Sequence, residues 1–445
     1  MTFSTFRKSF FLGCAAFGVL LMSPASASEG IKDAVQRDLP LLLSIYRQLH
    51  AHPELSGEEV QSAATMAKQL RSIGFDVHEK IGGHGLVGVM RNGPGPVVAI
   101  RADMDALPIL EETGLPFASR RRVVGVDGVE VPVMHACGHD MHMVNLLGTA
   151  RRLAAMKAEW KGTLLLYLQP AEETLQGARA MLADGLYTRF PRPDFLLATH
   201  VSPSAPAGSI GYASGRAMAA MAGIDLHVRG TGGHGATPEK TRDPVVLSAQ
   251  IIMALQSVIS REVAANDAAV ITVGRVDIGR KRNVIAEDGK LDLSVRAHDD
   301  KTLATIVRRV NEVAIHTARA FGMPEDRLPR TEIVEQSPAV VNDGKMTELI
   351  VADWTMRFGA QRVRRIDPVL ASEDFAFLGR GEPAVPSFLF FLGTRNMDEF
   401  LALRRGEGVA EQELHSSTFR PDAAPALLTG IEAMTGAALT LFSQS

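Results

Sequence analysis

Apolar segments that end in polar residues, with helical segments between them, set the strongest limit on how this chain folds. The segments are VVAIRADMDAL (97–107), GTLLLYLQP (162–170) and DFLLATHV (194–201). The sequences VNLLGTARRLAAM (144–156) and GARAMLADG (177–185) have helical patterns. Strands that are apolar on both faces and alternate with helices predict a mixed, mostly parallel sheet with helices on both faces, an α/β fold.

The pattern changes near Gly215. A half-exposed strand at 224–230 precedes a long helix at 243–262, two strands at 268–279 and 290–299, and a second long helix at 300–322. The order β-α-β-β-α is typical of a ferredoxin-like α+β domain. A chain of 445 residues is also long for one core. We therefore predict a discontinuous domain (28–213 and 330–445) with an inserted domain (214–329).

Local signals predict where the second helix of the chain begins and ends. Ser56 and Glu59 have the S-x-x-E spacing of a capping box, and Gly74 follows the helical segment that comes after them. The expectation is a helix that starts near Ser56 and stops at Gly74.

The first 27 residues have the order of a secretory signal peptide. Arg7 and Lys8 precede an apolar run at 10–22, and Ala25 and Ala27 form an A-x-A cleavage pattern. The alternatives are a buried helix or a membrane anchor, but the run is short for a bilayer. A lipoprotein signal ending at Cys14 would leave too few apolar residues after Lys8. We expect cleavage after Ala27, a periplasmic or secreted protein, and no stable membrane insertion after cleavage.

Charge and cysteine content exclude several classes of protein. The net charge is −3, without the basic surplus of a nucleic-acid-binding protein. Of the two cysteines, removal of the signal peptide leaves Cys137 alone, so a disulfide-stapled fold is excluded.

The segment MHACGHDMHM (134–143) concentrates metal-binding side chains at a predicted helix start. Cys137 and His139 lie two residues apart, and thiolate and imidazole suit borderline metal ions. The alternative is a histidine-rich helix terminus in which Asp140 is the N-cap.

Other candidate side chains follow the ends of predicted strands, where catalytic groups of such sheets gather. Each is ambiguous alone: an acidic pair often starts a helix or a turn, and a single histidine is often a core or surface residue. Asp103 and Asp105 are two apart at a strand tip and face the same way. Glu172 and Glu173 in LQPAEET and His200 in ATHVSP also follow strands. Two further candidates do not: His415 in ELHSSTF lies near the C-terminus, and His234 lies in the glycine-rich loop GTGGHGATP of the inserted domain.

Taken together, these motifs resemble one family of amidohydrolases. They are HAHPELSGEE, RADMDALPI, MHACGHDMH, QPAEE, GTGGHGATP, ASEDFAFL, FLFFLG and LHSS, in this order. The family includes hippurate hydrolases, bacterial N-acyl amino acid amidohydrolases and plant auxin-conjugate hydrolases, within a larger clan of two-metal aminoacylases and carboxypeptidases. The resemblance extends over essentially the whole mature chain.

The resemblance implies two divalent ions, Zn or Mn with Co or Ni as alternatives, and an N-acyl amino acid as substrate. It implies that the discontinuous domain is the catalytic, metal-binding domain and that the inserted domain (214–329) is a lid or dimerisation domain. It further implies a homodimer or higher oligomer in which His234 polarises the scissile carbonyl and reaches the partner's site. Glu172 would be the general acid/base, Asp105 would orient a ligand, and Asn283 would lie near the substrate. The implied metal ligands are Cys137, which would bridge the ions, His139, Glu173, His200 and His415.

Three positions depart from the family pattern. Glu239 stands where the family usually has a histidine, while Ala286 and Ser417 each replace a usual proline. None of them removes an implied ligand, so the departures bear on substrate range.

Three alternatives remain open. A dipeptidase or carboxypeptidase of the same clan would have the same ligands. An exported binding protein without catalysis would be expected to lack a ligand or the base. A structural zinc protein would favour a closed set of four ligands.

Overall fold

A computed structural model describes residues 30–125, 128–381, 383–408 and 412–444. The predicted signal peptide lies outside these ranges. The helices are α1 (Ile31–Ala51), α2 (Val60–Ser72), α3 (His139–Ala155), α4 (Gly177–Ala183), α5 (Leu186–Arg189), α6 (Pro244–Glu262), α7 (Asp300–Ala320), α8 (Gly344–Phe358), α9 (Met397–Arg404) and α10 (Ala423–Phe442). The strands are β1 (Asp76–Ile81), β2 (Gly85–Asn92), β3 (Val97–Asp103), β4 (Arg122–Val124), β5 (Glu130–Pro132), β6 (Gly162–Gln169), β7 (Phe195–Pro206), β8 (Ile210–Tyr212), β9 (Gly215–Met218), β10 (Ala220–Arg229), β11 (Gly233–His234), β12 (Ala269–Ile278), β13 (Val284–Ile285), β14 (Asp288–Ala297), β15 (Arg330–Ser337), β16 (Val340–Asn342), β17 (Val363–Arg365) and β18 (Ser387–Arg395).

The large sheet has the strand order β1-β2-β6-β3-β7-β18-β8-β17. The four strands β6, β3, β7 and β18 are parallel neighbours, and antiparallel pairs lie toward the edges. The three apolar segments of the sequence are therefore central strands of a mixed, mostly parallel sheet, as predicted.

Side chains of β6 alternate between two separate cores. Leu164, Leu166 and Leu168 pack in a core with α1, α3 and α10, while Leu165 and Tyr167 pack on the opposite face with α4 and α5. This alternation follows from the two-residue period of a strand and explains why β6 is apolar throughout. The prediction of helices on both faces is confirmed.

The smaller sheet has the order β12-β14-β10-β15, and its pairs are antiparallel. Helices α6 and α7 bury Leu247, Ile251, Ile306 and Val310 in the core of this sheet. The order β10-α6-β12-β14-α7-β15 is the ferredoxin-like arrangement that was predicted.

The predicted end of the inserted domain at residue 329 is too early. Strand β15 pairs with β10 from His227↔Arg330 to Met221↔Ser337, so the smaller sheet continues to Ser337. The segment RTEIVEQS is mostly exposed and charged, and it lacks the apolar alternation by which a strand is recognised.

The predicted capping box is wrong, although the helix and its end near Gly74 are present. Helix α2 begins at Val60, and its N-cap residue Glu59 makes no capping hydrogen bond; Glu54 accepts from the backbone N–H of Gln61 (2.9 Å) and Ser62 (2.8 Å) instead. Ser56 instead donates its hydroxyl hydrogen bond to Asp105 (2.6 Å), and Glu59 accepts from the backbone N–H of Ala171 (2.8 Å). Both side chains therefore support the strand ends where the candidate site lies.

Among the residues that the structure describes, two helices, α6 and α10, are long and apolar enough by composition to cross a membrane. Helix α10 is mostly buried between α1, α3 and α8, as expected for a core helix. Helix α6 leaves apolar side chains exposed, and Met253 is 72% exposed.

Candidate metal centre

A glycine turn at the start of α3 brings Cys137 and His139 to the carboxyl ends of the parallel strands. Gly138, between them, is the N-cap of α3 and has a φ of 77°. A Cβ atom there would lie 2.6 Å from a methyl group of Val201 on β7. Both the left-handed conformation and the close approach require glycine at this position. Because Gly138 is the N-cap, Asp140 lies in the first turn of α3, and the alternative in which Asp140 is the N-cap is wrong.

The five residues that the resemblance implies as metal ligands lie together. Cys137 Sγ is 3.5 Å from His200 Nε2 and 3.3 Å from His415 Nε2. Glu173 Oε1 is 3.4 Å from His415 Nε2 and 3.9 Å from His139 Nε2. One group of donors consists of Cys137, His139 and His200, and another of Cys137, Glu173 and His415. Cys137 is common to both groups.

Hydrogen bonds at Nδ1 direct the Nε2 atoms of two of these histidines into the cluster. His200 donates from Nδ1 to the carbonyl of Val201 (2.8 Å), and His139 Nδ1 lies 3.2 Å from Asp105 Oδ1. Burial and the neighbouring His142 lower the pKa of His200 to about 4. A neutral ring with a fixed Nδ1–H offers its Nε2 lone pair, which is the form that binds metal ions.

The donor set fits divalent cations. His139 Nε2 and Glu173 Oε1 are buried and have no hydrogen-bond partner among the described residues. Burial, together with Glu173 and Glu172, raises the pKa of the Cys137 thiol, so its thiolate needs positive charge nearby. A cation among these atoms would satisfy all three residues.

Glu172 is buried beside the donors, and its Oε2 lies 3.8 Å from His139 Nε2. Burial and then the carboxylates of Glu373, Glu173 and Asp374 raise its pKa well above the ordinary range. A carboxylate with high proton affinity beside a donor cluster is suited to accept a proton.

A buried network of hydrogen bonds lies behind the metal donors, and most of it was not predicted from the sequence. Arg101 donates hydrogen bonds to Asp103 (2.7 Å), Gln169 (2.9 Å), Glu373 (2.7 Å) and Asp374 (3.0 Å). Asp103 is two residues away from Arg101, but the other partners come from distant parts of the chain, and Glu373 is 272 residues away. The motif ASEDFAFL was recognised, but its spacing does not show which residue it contacts.

His142 belongs to the supporting network and not to the donor cluster. Its Nδ1 donates to Asp103 Oδ1 (2.6 Å), so its Nε2 accepts the backbone N–H of Val201 (2.9 Å). This chain of hydrogen bonds links the strand tip of β3 to the residue that follows His200.

The donors open into a cleft of about 470 Å³. Its lining includes the donor residues Cys137, Glu173, His200 and His415, and the smaller sheet contributes Arg296 and Glu335 on the facing wall. Arg296 is fixed by a hydrogen bond from Nη1 to the carbonyl of Leu370 (2.9 Å).

His234 and Asn283 do not line this cleft. His234 lies on the small β11–β13 ladder and Asn283 directly precedes β13, where the backbone N–H of Gly235 donates to the carbonyl of Asn283 (3.0 Å). Both residues are exposed. The structure therefore brings these two predicted site residues close to each other but not to the donors of the same chain.

Residues 99–415 match the model of peptidase family M20/M25/M40. The chain belongs to this family. The hippurate hydrolase of Campylobacter jejuni is 34% identical over 347 residues, covering 78% of this chain and 86% of that protein. The N-acetylcysteine deacetylase of Bacillus subtilis is 33% identical over 361 residues, covering 81% and 90%.

A solved structure has the same architecture. The crystal structure of a Bacillus subtilis protein described as a dinuclear metal binding peptidase of the M20 family superposes with a TM-score of 0.74 at 28% identity. The match covers 92% of this chain and 100% of that one. The predicted family and the amidohydrolase class are confirmed.

Proposed function

We propose that this protein hydrolyses the amide bond of N-acyl amino acids with two divalent ions. The observation that carries the proposal is the thiol of Cys137, which belongs to two groups of metal donors at once. The names of the relatives give the substrate class, since hippurate and N-acetylcysteine are both N-acyl amino acids.

Cys137, His139, Glu173, His200 and His415 would hold the ions, with Cys137 shared between them. When bound, divalent ions polarise a carbonyl oxygen and lower the pKa of water to about 7. A thiolate with imidazoles and a carboxylate suits Zn, Co or Ni, and Mn is the further candidate.

Glu172 would move the proton that amide hydrolysis requires. Its carboxylate would take a proton from the attacking water and return it to the nitrogen of the leaving amine. Asp105 would hold His139 in one ring orientation through the bond at Nδ1. This division of roles needs one carboxylate that is close to the ions but is not a ligand. Glu172 would be that carboxylate, since it lies beside the donors.

Arg296 gives a physical reason for a substrate with a free carboxylate. Its guanidinium is part of the cleft wall and is already fixed by Leu370. A guanidinium binds carboxylates through parallel N–H bonds, so Arg296 would bind the amino-acid end of the substrate.

We also propose that two copies of the chain complete each other's sites. His234 is exposed and lies outside the cleft of its own chain, while the same domain carries an exposed apolar surface on α6 and an edge strand, β12. Val245, Val246 and Met253 of α6 are exposed. A homodimer through this surface would cover them and would carry His234 toward the partner's cleft, where Asn283 would accompany it.

Export to the periplasm or medium is a proposal that rests on residues 1–27 alone. The order of charged, apolar and A-x-A segments supports it. N-terminal sequencing of native protein should give Ser28 or a close neighbour, and a first residue of Met1 or Thr2 would contradict export by cleavage.

A hydrolysis screen tests the proposed activity. The purified enzyme, loaded in turn with Zn, Mn, Co or Ni, should release free amino acids from acetyl, benzoyl and longer acyl conjugates. Free dipeptides form the second arm. Cleavage of dipeptides without cleavage of blocked amino acids would replace the proposal with a dipeptidase or carboxypeptidase.

A further inference from the structure

A second groove lies apart from the metal centre, between the strands β7, β8 and β17 and the helices α9 and α10. Its volume is about 440 Å³, and the part of the chain that the structure describes contributes no residue to both this groove and the cleft. Cavities of roughly 300–1,000 Å³ are the usual size of small-molecule sites. We call it the α9–α10 groove.

The walls of the α9–α10 groove are mainly apolar. Pro206 and Ile210 contribute from the strand side, Met397 and Phe400 from α9, and Leu428 from α10. Met397 is 47% exposed, and Phe400 and Leu428 are partly exposed. An apolar body of acyl-chain or aryl size would remove these side chains from water.

Three cations and one carboxylate also line the groove. The cations are Lys32, Arg362 and Arg364, and the carboxylate is Glu432. Glu432 interacts electrostatically with Lys32 and Arg362, so the groove carries two more cations than carboxylates. The chain as a whole has a net charge of −3, so a local surplus of positive charge beside apolar walls is a distinct feature.

One of these cations is held in place. Arg362 donates from Nε to the carbonyl of Gly208 (2.6 Å) and from Nη2 to the hydroxyl of Thr429 (2.8 Å). A guanidinium that is already fixed loses little side-chain entropy when an anion binds. The groove thus combines a fixed positive charge, a second arginine and an apolar wall.

We propose that the α9–α10 groove binds an amphipathic monocarboxylate, with the carboxylate at Arg362 and Arg364 and the apolar body against Met397, Phe400 and Leu428. The ligand class follows from the charges and walls of the groove and does not rest on the proposed function. Free carboxylic acids of this kind are one product class of amide hydrolysis, so the groove would take up such an acid outside the catalytic cleft.

Octanoate is the probe for this proposal. The zinc-loaded enzyme, labelled with 13C at its methionine methyl groups, is titrated with octanoate and followed by NMR. Met397 reports on the groove, whereas Met218 and Met221 line the cleft. Met397→Leu assigns the groove signal. The expected result is a saturable shift of Met397, and a shift of Met218 and Met221 alone would overturn the proposal, as would no shift at all.

Two neighbouring arginines give a matched pair of variants. Arg364 lines the groove, whereas Arg365 is the next residue of β17, points to the opposite face and does not line it. Arg364→Ser should weaken octanoate binding at Met397 by about tenfold or more, because a charged hydrogen bond is lost. Arg365→Ser should leave it unchanged. Equal affinities of the two variants would refute the role of the arginines.

Octanamide separates charge recognition from apolar adsorption, since it has the same chain without the negative charge. It should bind the wild-type groove about tenfold more weakly than octanoate. Equal binding of the two compounds would refute a carboxylate site. Hydrolysis of N-acyl amino acids, assayed separately, should be unchanged in Arg364→Ser, so failure here is distinguishable from failure of the proposed catalytic function.

Discussion

Glu172 and Glu173 are adjacent in sequence but have different surroundings, and this allows their roles to be separated. Glu173 Oε1 lies 3.4 Å from His415 Nε2, within a donor group that includes Cys137. Glu172→Gln should lower kcat by about 10²–10⁴-fold, because an amide cannot accept the proton that a general base removes. Metal content, measured by elemental analysis, should stay at the wild-type level.

Glu173→Gln is the matched comparison, because it makes the same chemical change at the next position. It should lose metal as well as activity. Metal loss in the Glu172 variant with retention in the Glu173 variant would reverse the assignment. Near-normal turnover of Glu172→Gln would show that another group moves the proton.

Arg296 provides a test of substrate binding. If it binds the substrate carboxylate, Arg296→Gln should raise KM roughly tenfold to a hundredfold with a smaller effect on kcat, since hydrogen bonds to charged groups contribute about 1.5–3 kcal/mol. Arg275→Gln, on the neighbouring strand and outside the cleft, is the control. A substrate whose carboxylate is blocked as an amide should not distinguish wild type from Arg296→Gln, and an equal KM increase for it would contradict the assignment.

Local spacing in the sequence was enough to identify the donor residues but not their support. Cys137 and His139 are close in sequence, and LQPAEET places Glu172 and Glu173 just after a strand. By contrast, the contact between Arg101 and Glu373 spans 272 residues and depends on how the sheet is assembled. A buried arginine in an apolar strand signals that acidic partners exist, because burying an unpaired charge is costly, but it does not name them.

The loop that carries His415 is held by hydrogen bonds to a second loop, which contains Glu112. The backbone N–H of Glu112 donates to the carbonyl of Ser417 (2.7 Å), and the Ser417 hydroxyl donates to Glu112 Oε2 (2.6 Å). His415 itself has a φ of 62°, which is unfavourable for a residue with a side chain. These two hydrogen bonds stabilise the strained conformation that directs the imidazole toward Cys137.

Ser417→Ala should therefore weaken metal retention. Loss of a group that orients a ligand typically costs about tenfold to a hundredfold in metal affinity. The measurement is the concentration of chelator that removes half of the bound metal. Ser416→Ala is the control, because Ser416 lies in the same segment and, within the described part of the chain, its hydroxyl hydrogen-bonds to Thr418 and not to Glu112. Identical chelator curves for both variants would mean that Glu112 does not hold this segment through Ser417.

A buried histidine joins α1, the loop after β3 and α3, and makes stability depend on pH. His50 donates from Nδ1 to Asp140 (2.7 Å) and from Nε2 to Glu111 (3.0 Å). Burial alone would lower its pKa, but the bonds to Asp140 and Glu111 raise it from 6.5 to about 10. The folded state therefore binds this proton more tightly than the unfolded state does.

Because the folded pKa is the higher one, the stabilisation is complete below pH 6.5 and decreases as pH rises toward 10. The urea concentration at which half of the wild-type protein is unfolded should decrease as the pH is raised from 6 to 9.5. His50→Asn should be less stable at pH 6 and should show a smaller fall over the same range. Parallel pH curves for the two proteins would show that His50 does not carry this dependence.

Secondary structure was predicted well where the periodicity of apolar residues determines it. It was predicted less well where polar side chains could either cap a helix or form hydrogen bonds with distant residues. The apolar strands β3, β6 and β7 follow from their sequences. Ser56 and Glu59 satisfy the pattern of a helix cap, yet Ser56 binds Asp105 and Glu59 binds the backbone at Ala171. Residues at a functional site break local rules in this way, because their hydrogen bonds serve a tertiary arrangement.

For the whole molecule, the alternation of strands and helices predicted both sheets and the helices that cover them. The part that it missed was β15, the strand at the edge of the smaller sheet. Strand β15 is exposed and charged, so only its pairing with β10 identifies it. The same limit applies to His234, because a loop sequence does not show whether its histidine serves its own chain. Exposure of His234 outside its own cleft is the reason why we propose the dimer as the unit of function.

Mixing two inactive variants tests whether the site is shared between chains. Glu172→Gln removes the proposed base, and His234→Ala removes the proposed carbonyl-polarising group, so each homodimer should be nearly inactive. If His234 serves the partner's cleft, a mixed dimer has one cleft with an intact Glu172 from one chain and an intact His234 from the other. After the two variants are unfolded and refolded together in equal amounts, about a quarter of wild-type activity should return, because half of the dimers are mixed and half of their clefts are complete.

Each variant refolded alone is the control, and sedimentation measures the fraction of dimer. A mixture as inactive as its components would mean that His234 acts within its own chain or not at all, and a monomer with full activity would refute the shared site outright.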